Sequence, residues 1–293
     1  MFDSTRAALR ELGLPGGDCL DLPTSTKKFP DGKDFRIEVP TLNSIESMEA
    51  VLNESNRLGI KINRVTETYG IFRHTSFEIK EMVALCAENK CDFVMSTGPR
   101  ASYDTSATAG STQGKTIAYR LRGQEQVVRA IEDIKRAIEH QVKSFLVYDE
   151  GLLWVLGQMR ARSMLPQDIQ FKISAHCGHA NPASFKLLES MGANSINPVR
   201  DLELPMLAAL RQTIDIPLDC HTDNPVSSGG FIRVYEAPEM VRIGAPVYLK
   251  TGNSVTREHG GIICANDGIR MARQASIVLE MIQKYYPQAA QSE

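Results

Sequence analysis

The chain has 293 residues, 42% of them hydrophobic and 23% charged, the length and composition of a globular protein able to bury a sizeable core. A net charge of −2 excludes the basic balance of a nucleic-acid binder, and no apolar run nears the roughly 18–20 residues that span a bilayer. The start, Met1 to Arg6, lacks a basic segment followed by an apolar one, so the chain reads as cytoplasmic.

Residues 1–34 are rich in Gly, Pro, Asp and Lys, with one helical pattern at 4–12, and read as an N-terminal extension. From residue 35 to 293, short apolar runs alternate with helical patterns eight times, the signature of parallel βα units. The runs lie at 35–39, 62–66, 93–97, 144–148, 171–175, 195–199, 218–221 and 247–250. The helical patterns lie at 44–58, 76–89, 124–141, 152–164, 182–191, 204–213, 237–243 and 268–285. Ser44 and Asn181-Pro182 carry N-cap chemistry, and Gly59, Gly192 and Gly244 stand where C-terminal caps fall. The expected fold is therefore α/β, a (β/α)8 barrel preceded by an extension. The third connection is the longest, and 116–121 within it is either a ninth strand or part of that loop. We take it as part of the loop, a segment long enough to serve as a lid.

Side chains alternate along a strand, so the apolar set turns outward to the helices and the other set turns into the barrel. Phe35, Ile37 and Val39 thus send Arg36 and Glu38 inward. Phe171, Ile173 and Ala175 leave Lys172, Ser174 and His176 inside. Asp219 and His221 oppose Leu218 and Cys220, Tyr248 and Lys250 oppose Val247 and Leu249, and Asn197 points inward from the sixth strand. Arg64 and Glu67 differ in parity, so alternation does not assign both. Either most of these charges make internal ion pairs, or they line a site at the C-terminal end of the barrel.

Asp219 and His221, at i and i+2 on one strand face, suit a divalent metal (Mg, Mn or Zn), with His176 and Glu38 as further ligands. Alternatively His221 works as a general acid or base, or is a hydrogen-bonded core histidine. Of Tyr148-Asp149-Glu150, one acid faces the site, whereas His179 reads as a surface or capping residue. Lys250-Thr251-Gly252 and Ser228-Gly229 follow the last two strands, where barrels commonly bind anions. Lys250 there is an anion-binding charge, a Schiff-base amine or a structural ion-pair partner. Arg36, Arg64, Arg100, Asn197 and Arg200 complete the expected substrate contacts, with Arg120 or Arg122 able to close over the anion. Six cysteines without a C-x-x-C pair read as free thiols, Cys177 and Cys220 drawing attention because each adjoins a histidine. No serine elbow, P-loop, GxGxxG or zincin motif is present.

Two resemblances attach to these residues. The stretches 195–205 (Ser-Ile-Asn-Pro-Val-Arg-Asp-Leu-Glu-Leu-Pro) and 219–230 look like those of barrel proteins grouped with the U32, collagenase-like peptidases, over residues 35–285. That resemblance implies a hydrolase of peptide-type bonds, although the cysteine-rich signature of the family is missing. Residues 219–223 are similar to the His-x-His-Asn-Asp stretch of metal-dependent aldolase and acyl-transfer barrels, with His221 matching the second histidine and Asp219 replacing the first. The Arg-Asp pair of those first strands has its counterpart in Arg36 and Glu38, two apart instead of adjacent. The resulting expectation is a lyase, aldolase or epimerase acting on a small carboxylated or phosphorylated metabolite. Its catalytic groups are His176, His221, Glu38 and Lys250. The alternatives are a U32-like hydrolase and a non-catalytic metabolite-binding barrel. A homo-oligomer stays open, and neither nucleic acid nor membrane is expected as a partner.

Overall fold

The computed structural model describes residues 2–100, 107–112, 114–257 and 260–293. Eight parallel strands close on themselves: β1 (Phe35–Pro40), β2 (Arg64–Thr66), β3 (Asp92–Ser96), β4 (Ser144–Val147), β5 (Gln170–Ile173), β6 (Ser195–Ile196), β7 (Leu218–His221) and β8 (Val247–Lys250). Each strand pairs with its sequence neighbours, and β1 pairs with β8 to seal the ring. The (β/α)8 barrel is thus present. Residues 116–121 add no strand to it: Gly114–Ile117 is a 3-10 helix and a turn follows.

Helices α1 (Asp3–Glu11), α2 (Ile45–Leu58), α3 (Ser76–Glu88), α4 (Gly123–Glu139), α5 (Glu150–Ala161), α6 (Pro182–Ser190), α7 (Leu204–Thr213), α8 (Ala237–Gly244) and α9 (Ala265–Tyr285) follow from local chemistry. Ser44 Oγ accepts the Ser47 N–H at 3.2 Å, and Asn181 Oδ1 accepts that of Ser184 at 3.0 Å, satisfying donors that the first turns leave open. Gly59 ends α2 at φ 68, whereas Gly244, expected as another cap, is the last helical residue of α8. No described helix is long and apolar enough to cross a membrane.

The apolar faces of the strands, Phe35, Ile37, Val65, Met95, Phe145, Phe171, Ile196, Leu218 and Leu249 among them, form one core with the inner faces of the helices. The segment before β1 runs along α7 and α8, with Cys19 N–H on Pro205 O and Ser25 N–H on Arg242 O. It brings Phe29 under the N-terminal end of the barrel, against the edge of Tyr248. The C-terminal tail returns to that end, where Asp34 and Ser292 exchange hydrogen bonds with Ala290 and Phe35. β6 is only two residues long where the pattern suggested five. Asn197, the next residue, turns its side-chain amide onto Ile173 O at 2.6 Å, and Pro198 cannot donate to a ladder.

Gly268 lets α9 settle directly on α2. A Cβ there would lie 2.8 Å from Ser47 O and 3.0 Å from the Ala50 Cβ. Gly268→Val should destabilise the fold by about 1–3 kcal/mol, read as a lower urea midpoint with an unchanged m value.

Candidate active site

The alternation read from the sequence does place charge on the barrel axis, and Glu38 is its centre. This carboxylate, fully buried, accepts from Arg64 Nε at 2.8 Å, Arg64 Nη2 at 2.5 Å, Lys172 Nζ at 2.5 Å and Thr66 Oγ1 at 2.7 Å. Lys250 Nζ stands 3.6 Å away and donates to Asn197 Oδ1 at 2.9 Å. Arg64 also pairs with Asp219, lies 3.3 Å from the Tyr248 ring centre and has Lys172 as a co-partner on the same carboxylates. Burial opposes the ionised form of Glu38, yet Arg64, Lys172 and Lys250 outweigh it and hold the group well below the usual carboxylate range. Around Asp219 and Glu38, Arg64 is likewise held fully charged despite desolvation.

Three cations, Arg64, Lys172 and Lys250, thus face two carboxylates in the interior. Desolvation is the leading influence on both lysines and lowers both ammonium groups, Lys172 the further. Parallel register fixes which end of the barrel each group serves. Glu38 is level with Lys250, and Lys250 with His221, whereas Arg36 is level with Tyr248 and Tyr248 with Asp219, one inward step nearer the N-terminal end. Arg36 is therefore not at the mouth with Lys250. It donates to Tyr248 Oη and Ser292 Oγ, both at 2.9 Å, and covers Phe29.

At the C-terminal mouth Lys250 shares a cleft with His221, His176, Arg200, Ser174 and Asn253. Arg200 Nη2 lies 2.9 Å from His176 Nε2. A guanidinium only donates, so this contact requires a neutral ring with Nε2 as acceptor. Desolvation, then Arg200 and Arg100, holds His176 well below the usual imidazole range. Tyr119 from the third loop stacks on the same ring at 4.3 Å. His221 is buried, and its Nδ1 has no hydrogen-bond partner among the described residues. Arg100 is buried over Tyr148, donating to Ser96 Oγ at 2.8 Å and Thr68 O at 3.1 Å.

Other expected contacts are spent elsewhere. The loop after β8 turns its amides onto Asp223: Gly252 N–H meets Oδ1 at 2.9 Å and Ser254 N–H meets Oδ2 at 2.6 Å. A carboxylate of the chain itself thus sits where an anion was expected, and the buried Thr251 lies beside it. Ser228 and Gly229 belong to the outlying turn after residues 223–224. Glu67, parity-ambiguous in the sequence, is buried past the end of β2, where it accepts from Gly70 N–H, Ser96 N–H and Ser96 Oγ, with His74 alongside. The expected metal set does not assemble: among the described residues, no three ligand atoms of Glu38, Asp219, His176 and His221 lie within 4.8 Å of one another. A dication there would also have to displace Arg64 and Lys172 from both carboxylates. Lys172, which alternation turned inward, was not among the expected site residues. Tyr119 and Asp223 carry no sequence signal for the places they take.

A cavity of 260 Å³ lies at the opposite, N-terminal end, lined by Phe29, Arg36, Arg64, Phe171, Lys172 and Tyr248. It is far roomier than the mouth, whose cleft measures about 10 Å³, but it holds no histidine, and its cations already face Glu38, Asp219 or Tyr248. The mouth is the better candidate for chemistry. The two cysteines beside histidines are poor nucleophiles, since burial pushes Cys177 and Cys220 up to about 12.

No family model and no curated protein matches the chain. Solved structures do. The YdjI aldolase from Escherichia coli K12 is 12% identical with a TM-score of 0.51, covering 86% of this chain and 90% of its own. A putative fructose-1,6-biphosphate aldolase from Coccidioides immitis is 13% identical with a TM-score of 0.51, covering 87% and 92%. The U32 peptidase Mk0906 is 14% identical with a TM-score of 0.46, covering 80% and 98%. At these identities what is shared is the barrel.

Glu38→Gln strips the countercharge from buried cations and should cost about 3–5 kcal/mol in chemical unfolding, with Lys172→Met in the same chain recovering part of it. Burial, then Lys250 and Arg200, holds His221 well below the usual imidazole range. An unfolded chain takes up that proton near pH 6.5 while the native state resists, so stability falls as pH drops below that value. This ring should contribute a slope of at most about 1.4 kcal/mol per pH unit, which His221→Gln removes from urea unfolding measured between about pH 7 and 5.

Proposed function

We propose that the chain is an enzyme of the lyase type, aldolases and epimerases included, that attacks a small anionic carbonyl metabolite through Lys250 at the C-terminal mouth of the barrel. One observation carries this reading: a buried amine faces a cleft shared with His221 on the neighbouring strand and with Arg200 and His176 on the rim. Lys172 is gripped by both oxygens of Glu38, but among the described residues Lys250 has one close partner, Asn197 Oδ1. With three cations to two carboxylates, the interior tolerates an uncharged Lys250, and burial favours that form against the pull of Glu38 and Asp219.

In this reading Nζ adds to the substrate carbonyl carbon. Both amine hydrogens leave with the carbonyl oxygen as water, and a C=N bond remains. Protonated on nitrogen, it draws electrons from the adjoining C–C or C–H bond as that bond breaks. His221, neutral and with Nδ1 unengaged among the described residues, would carry the protons. Arg200 supplies the charge that holds the anionic group, and its surplus positive field favours carboxylate or phosphate substrates. The neighbouring aldolases share the fold alone, so the reading stands on the chemistry of the mouth.

Borohydride reduction in the presence of 2-oxo acids and hydroxyaldehyde phosphates should fix one substrate mass on a peptide containing Lys250. Lys250→Met should abolish that label and lower kcat/KM by about 10³-fold or more. Labelling of Lys172 instead, or no label with a compound that the enzyme demonstrably turns over, would overturn the assignment. Stabilisation by such a compound without any turnover would instead support a binding barrel.

A further inference from the structure

Beside the mouth, the loops after β4 and β5 gather three donor atoms of different chemical hardness. Glu150 opens α5, Cys177 ends the short turn after β5, and His179 follows two residues later. Each offers one ligand atom, and the three lie within 4.8 Å of one another, with His179 Nε2 2.5 Å from Glu150 Oε1. We propose that Glu150, Cys177 and His179 form a binding site for a borderline-soft divalent cation, zinc before all others. Three protein ligands leave one position for water or a ligand atom, the count typical of zinc sites that stay open.

Several features hold the donors in place without the ion. Asp149 caps α5 through the Leu152 N–H at 2.9 Å and so fixes the residue that follows it. Ser174 Oγ accepts the His176 N–H at 3.2 Å, and Gly178, at φ 81, turns the chain so that His179 comes back towards Cys177. Arg120 pairs with Glu150 Oε2 and donates to Cys177 O at 3.1 Å, orienting the carboxylate from outside, while Oε1 and His179 Nε2 now meet each other and would part to admit the ion between them. The Glu150 and His179 side chains keep 28% and 17% exposure, which gives an ion a path from solvent, while Cys177 is buried behind them.

A thiolate, an imidazole and a carboxylate together favour zinc over magnesium or calcium, which prefer all-oxygen shells. Binding exchanges the Cys177 S–H bond for an S–metal bond and sends the proton to solvent. The ion would pin the loop that carries His176, and it would do so whether or not Lys250 is the reacting amine.

The full chain, stripped with a chelator and dialysed, is titrated with Zn²⁺ by calorimetry in buffers of different protonation enthalpy. One zinc per chain with release of about one proton is expected, and Co²⁺ in its place should show a thiolate charge-transfer band. Cys177→Ser and His179→Gln should each weaken zinc at least about 100-fold, circular dichroism confirming that each is folded. His179 is half-buried, so its variant tests the site even if Cys177→Ser fails to fold. Cys264→Ser, at an exposed thiol, should change nothing. No zinc uptake, uptake retained by His179→Gln, or displacement of zinc by equimolar Mg²⁺ would overturn the site.

Discussion

A carboxylate on the axis of a closed barrel cannot reach water, and the interior of this protein is organised around that constraint. Glu38 is fully buried, and leaving it unpaired would cost several kcal/mol. Arg64, Lys172 and Thr66 meet its oxygens, Asp219 balances Arg64, and Asn197 Oδ1 accepts from Lys250 Nζ. The charged groups come from different strands, Arg64 and Thr66 share β2, and Asn197 directly follows β6. The network therefore exists only when the ring is closed in the correct register. Slipping one strand by a residue would turn its charge outward and break the set.

The same register divides the barrel into two unlike ends. Two residues along a parallel strand separate Arg36 from Glu38, and that step moves Arg36 from the mouth to the floor with Tyr248 and Phe29. The floor is closed by segments from both ends of the chain and spends its donors on fixed partners. Among the described residues, the mouth retains His221 Nδ1 without a partner and a lysine with a single close acceptor. Chemistry needs groups that are held in place yet not consumed by internal bonds, and among the described residues the mouth offers that combination.

The loops above the mouth show how the chain uses its own groups in place of ligands. Asp223 fills the amide cradle after β8 and ties down Gly252 and Ser254. Arg200 and Tyr119 position His176 from two directions. Arg120 bridges the third loop to Glu150 and Cys177, linking a long connection to the short ones beside it. Strands set the side chains of the mouth, and loop-to-loop polar contacts set their surroundings.

Period-two alternation with eight intervening helical patterns was enough to determine the barrel, because a strand covered by helices must turn its apolar set to them. By the same rule Glu38, Lys172, Asp219, His221, Tyr248 and Lys250 were legible as interior residues, and Ser44, Asn181 and Gly59 as caps. Local sequence carries no record of which end of the barrel a residue serves, nor of which donor a given acceptor meets. Those depend on strand register and on loops far apart in the chain. Tertiary structure alone placed Arg36 on the floor and Asp223 in the amide cradle. It also brought Arg64 and Lys172 onto Glu38 and Asp219, since a buried carboxylate takes the nearest cation that the closed ring presents.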